Sequence, residues 1–372
     1  MPSFYRALWP LLQRLDPETA HHGALRFWRA VGRWPWLAAW VRRAVGATDL
    51  PADPVQVAGL QFPNRVGLAA GYDKDGLAWR GLAVLGFGHI EIGTVTPRAQ
   101  PGNPRPRMWR VPQQRALINY LGFPSRGAAF VLRQLQAERP PGLVLGVNLG
   151  KNHATPNARA VVDYILLTRI FAPLADYLVV NVSCPNMENF RELQNRRAVR
   201  HLVRAVVETR SAWQAQTGGA RPLPVFVKLA PDFETPGQLE STVEGALLGG
   251  ADGFIATNTT TRRPGLEPRW QQVPGGLSGA PLRELSTRLI ARLARLTEGR
   301  VPIIGVGGIM SLQDAREKLD AGAQLVQVLT GLVYQGPGLI PRLVRGLAHP
   351  RGRDEQTTPS RHPTALTGGG SP

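Results

Sequence analysis

The 372-residue chain contains a single cysteine, Cys184. No internal disulfide is open to it, so its stability has to come from a packed core. Lysine is almost as scarce: Lys74, Lys151, Lys228 and Lys318 stand among 44 basic residues. A lysine kept in such an arginine-rich chain marks a place suited to a compact ammonium rather than a planar guanidinium. Acids are in deficit too, 26 against those 44, which leaves a formal charge of +18. The arginines are scattered, so a solvated basic surface is favoured over nucleic-acid binding. No apolar run reaches the ~20 residues of a membrane-spanning helix, and no leader with a small-residue cleavage site opens the chain. Exposure to the cytosol is expected. A G-x-G-x-x-G fingerprint after the first strand is missing, which speaks against an open dinucleotide-binding sheet.

What is present falls into three parts. Residues 1–48 are expected to form an amphipathic helical hairpin, with Pro10 kinking the first helix and Asp16-Pro17 starting the second. Trp9, Trp28, Trp34, Trp36 and Trp40 fall here beside seven arginines and two acids. Such a segment suits either a membrane interface or a cap packed on the main domain. Residues 49–348 carry eight β-branched runs, at 65–71, 89–95, 143–150, 177–183, 224–230, 253–258, 302–308 and 324–331, with helix-patterned stretches following each one. Near-continuous apolar strands alternating with helices predict an α/β fold, a (β/α)8 TIM barrel. The tail, residues 349–372, is rich in Pro, Gly, Ser and Thr and is expected to be disordered.

In such a barrel the chemistry sits at the C-terminal ends of the strands. Asp73-Lys74 follows the first run, Thr94 ends the second, and Asn148 and Lys151 end the third. Asn181, Ser183, Cys184 and Asn186 end the fourth, Lys228 the fifth, Thr257, Asn258 and Thr259 the sixth. Taken singly, each has an ordinary explanation as a turn former, a cap or filler. Together they place three lysines and the cysteine on one rim. Glycine-rich GVGGIMSLQDA and LTGLVYQGPG after runs seven and eight suit a phosphate, of a substrate or of a cofactor. On these loops alone, a flavin-free sugar-phosphate lyase or isomerase remains open.

The stretches GLAAGYDKDG, GFGHIEIGTVTPRAQPGNPRPR, GVNLGKN, NVSCPN, VKLAPD, ATNTT, GGLSGAPL and IIGVGGI together resemble the dihydroorotate dehydrogenases over residues 4–348, most closely the quinone-linked, membrane-associated class. The resemblance implies oxidation of dihydroorotate to orotate in pyrimidine synthesis, with FMN as hydride acceptor and ubiquinone or menaquinone as final acceptor. It implies a peripheral protein on the cytoplasmic side of the cell membrane, held by the N-terminal helices, with neither metal nor nucleic acid. Ala70, Gly71, Tyr72, Asp73, Lys74, Thr94, Asn148, Asn181, Lys228, Thr257, Gly279, Gly308, Leu329 and Thr330 match flavin positions. Lys74, Asn119, Tyr120, Leu121, Gly122, Phe123, Asn181, Asn186, Asn258 and Thr259 match the substrate site. His21 and Arg110 match the quinone tunnel, and Cys184 matches the catalytic base.

Four departures accompany these matches. Cys184 stands where the quinone-linked class has serine and is like the soluble class, which uses fumarate or NAD. A free thiol has a pKa of about 8.5, so thiolate is expected to be accessible near neutral pH in a way alkoxide is not. Tyr120 replaces an arginine, and Leu329 a tyrosine. The lid sequence Thr-Pro-Gly-Leu-Arg is Met187-Glu188-Asn189-Phe190-Arg191 here, without its glycine.

Overall fold

Each of the eight apolar runs forms a strand covered on both faces. In the computed structural model, which describes residues 3–348 apart from 188, 220 and 234, these are β1 (Val66–Leu68), β2 (His89–Val95), β3 (Val144–Leu149), β4 (Tyr177–Asn181), β5 (Val225–Leu229), β6 (Gly253–Ala256), β7 (Ile303–Val306) and β8 (Leu325–Val328). Every strand pairs in parallel with its neighbour in sequence, and β8 pairs with β1 to close the barrel. The fold is the expected (β/α)8 barrel. The expected tail lies outside the described residues.

The barrel interior is filled in layers. At the base, Phe62, His89, Tyr177 and Phe226 meet edge to face. Gly67 lets the His89 ring in, since a Cβ there would lie 2.0 Å from Nε2. Higher up, the inward positions turn polar: Glu91, Asn148, Lys228 and Gln327 are all buried. This change from rings to polar groups marks the floor of the functional end.

The N-terminal segment holds three helices rather than the expected hairpin: α1 (Ser3–Arg14), α2 (Pro17–Arg33) and α3 (Pro35–Val45). Pro35 is the reason. A residue before proline is pushed out of the helical region, and Trp34 is extended at φ −110°, ψ 107°. Asp16 caps α2 as expected, accepting from the Thr19 amide at 2.8 Å, whereas α1 continues through Pro10. Leu25, Trp28, Val31, Val41 and Val45 are buried in the main core, each contributing roughly 1.5–3 kcal/mol. Gly81 permits the approach of α2, because a Cβ there would lie 1.8 Å from the Trp28 carbonyl oxygen.

A second feature had no counterpart in the sequence reading. Met108–Val111, Ala116–Asn119 and Gly276–Gly279 pair antiparallel into a small sheet. Met108, Leu117, Asn119, Ser278 and Gly279 of this sheet wall a cavity at the C-terminal mouth of the barrel. Its outer strand meets the N-terminal helices through Arg110, which donates to the Leu15 carbonyl oxygen at 2.6 Å.

Candidate active site

The cavity encloses about 1120 Å³, open solvent at its mouth included. Its floor is a hydrogen-bonded lattice. Thr94 Oγ1 donates to Asn148 Oδ1 at 2.5 Å, and Asn181 Nδ2 donates to Thr94 Oγ1 at 2.9 Å. Asn148 Nδ2 donates to Glu91 Oε1 at 2.7 Å and Gln327 Nε2 to Glu91 Oε2 at 2.8 Å, while Lys228 Nζ lies 3.4 Å from Glu91 Oε1. Glu91 and Gln327 escaped the sequence reading. The signal was there: a carboxylate and an amide inside the otherwise apolar runs HIEIGTV and QLVQVLTG.

One wall is made of amides around the cysteine. Asn186 Nδ2 donates to Asn119 Oδ1 at 2.7 Å, joining the loop after β4 to the small sheet. Asn258 Nδ2 donates to Ser183 Oγ at 3.0 Å, and Ser183 Oγ to Asn181 Oδ1 at 3.0 Å. Cys184 lines this wall and is buried. Burial pushes its thiol up to about 12, although the Asn186 amide and the charges of Arg191, Lys74 and Lys151 pull it down. The expectation of a readily accessible thiolate near neutral pH is therefore corrected. Desolvation outweighs three cations, and the resting group is a neutral thiol.

Lys74 reaches the cavity with Nζ 2.7 Å from the Gly71 carbonyl oxygen, and burial lowers it to about 8. Ala70, Gly71, Thr94, Asn181, Lys228, Thr257, Gly279, Gly308, Leu329 and Thr330 line the same cavity, as do Asn119, Leu121, Phe123, Asn186, Asn258 and Thr259. Tyr72, Asp73, Tyr120, Gly122 and Asn148 do not. The Asp73 carboxylate is turned to its own loop, accepting from the Leu77 and Ala78 amides at 2.8 and 2.7 Å. Tyr72 meets His21 of α2 edge to face at 5.1 Å, and desolvation followed by the Lys74 charge lowers that imidazole to about 3.

In the loop after β4, Met187 and Phe190 are buried. Phe190 is fully buried, edge to face with Phe123 at 5.4 Å, and Arg191 donates to Asp232 at 2.9 Å. Asn189 adopts φ +55°. Asparagine is the residue other than glycine that best tolerates this left-handed conformation.

A closed parallel barrel with lysines, amides and a cysteine converging on its C-terminal mouth defines a (β/α)8-barrel enzyme. The family model described as dihydroorotate dehydrogenase matches residues 54–350. A dihydroorotate dehydrogenase (quinone) from Roseiflexus sp. is 45% identical over 358 residues, covering 96% of this chain and 97% of that protein. One from Acidithiobacillus ferrooxidans is 48% identical over 348 residues, 92% and 94% of the two chains. The crystal structure of the Eimeria tenella enzyme in complex with ferulenol superposes with a TM-score of 0.74 at 34% identity, covering 84% of this chain and 90% of that one. The chain belongs to the dihydroorotate dehydrogenase family of flavin-dependent oxidoreductases.

The cavity fits a flavin. Gln327 Oε1 and Asn186 Oδ1 are buried there without a partner, and such orphaned acceptors call for donors from a bound ring. Gly307 and Gly308, at φ +123° and +76°, keep the wall after β7 free of side chains. The short helix starting at Thr330 has no side-chain cap, and Thr330 and Gly331 line the cavity.

Proposed function

We propose that the chain oxidises dihydroorotate to orotate on FMN held in the barrel mouth and delivers the electrons to ubiquinone or menaquinone at the cytoplasmic face of the cell membrane. The observation that carries this reading is the convergence of Lys74, Asn119, Asn186, Asn258, Thr259 and Cys184 on a cavity whose floor presents Lys228. When bound, FMN supplies the acceptor for the hydride that leaves substrate C6. Thr94, Asn181 and Gln327 on the floor and the glycines after β7 would hold it, and Lys228 would neutralise charge developing on the ring. The amides of Asn119, Asn186 and Asn258 suit the paired amide-like groups of dihydroorotate, and the Lys74 ammonium suits its carboxylate. Cys184 Sγ, once its own proton has been given up to solvent through the cavity mouth, takes the proton from C5. With a resting pKa of about 12 it is a weak acid and hence a strong base once ionised.

Residues 1–48 serve as the membrane-associating part and 49–348 as the catalytic barrel. Trp36 and Trp40 on α3 and Leu11 on α1 are 68%, 59% and 59% exposed, in a segment that also carries seven arginines. Rings and aliphatic groups left in water beside arginines suit the headgroup region. Among the described residues no helix is long and apolar enough to cross a membrane. His21 and Arg110, at the contact of these helices with the barrel, line the quinone's approach.

The purified protein should be yellow, absorbing at about 450 nm, and bleach on anaerobic addition of dihydroorotate. A colourless preparation would sink the reading. Because Cys184 is a feature of the soluble class, fumarate and NAD are the acceptors to set beside a quinone. Faster reoxidation by either would replace the quinone assignment. Serine at Trp36 and Trp40 should release the protein from anionic vesicles without changing flavin reduction.

A further inference from the structure

Glu91 is a fully buried carboxylate in the middle of β2. A buried charge in an apolar strand is costly unless it is paired and fully hydrogen-bonded. Three donors from three other strands meet this need: Asn148 of β3, Lys228 of β5 and Gln327 of β8. Lys228 and Gln327 line the cavity, whereas Glu91 does not. The carboxylate thus grips from behind two groups that any ligand in the cavity meets from the front.

The grip has two chemical consequences. A carboxylate accepts only, so it fixes the Gln327 amide with Nε2 toward Glu91 and leaves Oε1 as the acceptor still to be satisfied. That Oε1 is the buried atom without a partner, and the imide N–H of a flavin's pyrimidine edge is a donor of the right kind. The negative charge, 3.4 Å from the Lys228 ammonium, also offsets part of the positive charge that favours electrons on the ring.

We propose that Glu91 is a positioning residue that sets flavin affinity and reduction potential through Gln327 and Lys228. The inference rests on the FMN site proposed above. Glu91→Gln keeps the shape and removes the charge. Lys228 then faces the ring without its counter-charge, and the potential of bound flavin rises. The ratio of affinities for reduced and oxidised flavin should grow about ten-fold, which for a two-electron couple is about 30 mV. Gln327 loses its fixed orientation, so oxidised FMN should bind the apoprotein about ten-fold more weakly, the low end of the effect seen when groups supporting the ligands of a bound metal are removed.

The experiment is a redox titration of the bound flavin, with an FMN titration of the apoprotein, for wild type, Glu91→Gln and Glu91→Asp. The aspartate keeps the charge but draws it back by one methylene. A smaller upward shift is expected from it, and it decides the matter should the glutamine variant not fold. Wild-type potential and FMN affinity in the folded variants, even with a lowered melting temperature, would reduce Glu91 to a structural role and overturn the proposal. So would a fall in potential. A wild-type protein that takes up no FMN would overturn the flavin reading itself and this inference with it.

Discussion

Arg107 grips the Glu18 carboxylate in two places, with Nη2 2.6 Å from Oε1 and Nε 3.1 Å from Oε2. Glu18 belongs to α2, and Arg107 directly precedes the strand Met108–Val111, so the pair ties the N-terminal helices to the sheet that walls the active-site cavity. Arg107 Nη1 also holds the Pro101 and Asn103 carbonyl oxygens at 2.6 and 2.8 Å. Losing Glu18 therefore disturbs both sides of the contact.

Burial raises the Glu18 carboxyl, but hydrogen bonds from Arg107 and Arg105 outweigh it and leave the group at about 2 against a usual 4.5. A depressed acid stabilises the fold above its unfolded pKa. That contribution fades as pH falls from 4.5 toward 2. Glu18→Ala strands the Arg107 guanidinium and should cost roughly 3 kcal/mol in denaturant unfolding of the full chain. Quinone reduction should suffer more than flavin reduction by dihydroorotate. Equal loss in the two half-reactions would show that the pair does not serve the helices' role.

Cys184→Ala should keep its flavin yet lower the rate of flavin reduction by dihydroorotate about 10²- to 10⁴-fold, the usual contribution of a positioned base. In the wild type, a thiol held at about 12 leaves the ionised fraction climbing throughout the accessible pH range. Single-turnover reduction at saturating substrate should keep rising past pH 9. Saturation separates this from Lys74, whose loss of charge above about 8 weakens binding. A plateau near the free-thiol value of about 8.5 would contradict the burial effect.

The barrel was legible because each strand is buried on both faces, and continuous β-branched runs such as YLVVN have few other homes. The rim was legible for a related reason: Lys228 and Asn181 interrupt such runs where they end. Glu91 and Gln327 were passed over because a polar residue inside a strand weakens the pattern that identifies it. The strands Met108–Val111 and Ala116–Asn119 are four residues each, too short for alternation to register. Desolvation of Cys184 depends on Phe123, Met187 and Phe190 coming together with it in one core. That arrangement is tertiary, and a model-peptide pKa contains nothing of it.

Asn189 adopts the left-handed conformation at φ +55°. Its side chain makes no capping hydrogen bond to the turn that follows, so backbone conformation is its contribution. Asn189→Gly should leave stability within about 0.5 kcal/mol, whereas Asn189→Ala should lower it by about 1 kcal/mol through strain at φ +55°. Denaturant midpoints read the difference. Identical midpoints for the two variants would show that the conformation does not constrain residue choice.

His89 sits at the base of the barrel, fully buried, with neither ring nitrogen hydrogen-bonded. Desolvation alone lowers it to about 3 from its usual 6.5. The unfolded chain therefore binds a proton below pH 6.5 that the folded barrel refuses until about pH 3. Stability from this residue is complete above 6.5 and declines as pH falls, by about 1.4 kcal/mol per unit over that window. His89→Phe keeps the edge-to-face contacts with Phe62 and Tyr177 and removes the proton. Whatever the variant costs at pH 8, the stability gap between it and the wild type should shift in its favour by about 2.7 kcal/mol on going to pH 4.5. Glu18 and Asp73 titrate in both proteins and cancel in the comparison. A gap that stays constant from pH 8 to pH 4.5 would mean that water or a shifted ring reaches His89 and lets it charge within the fold.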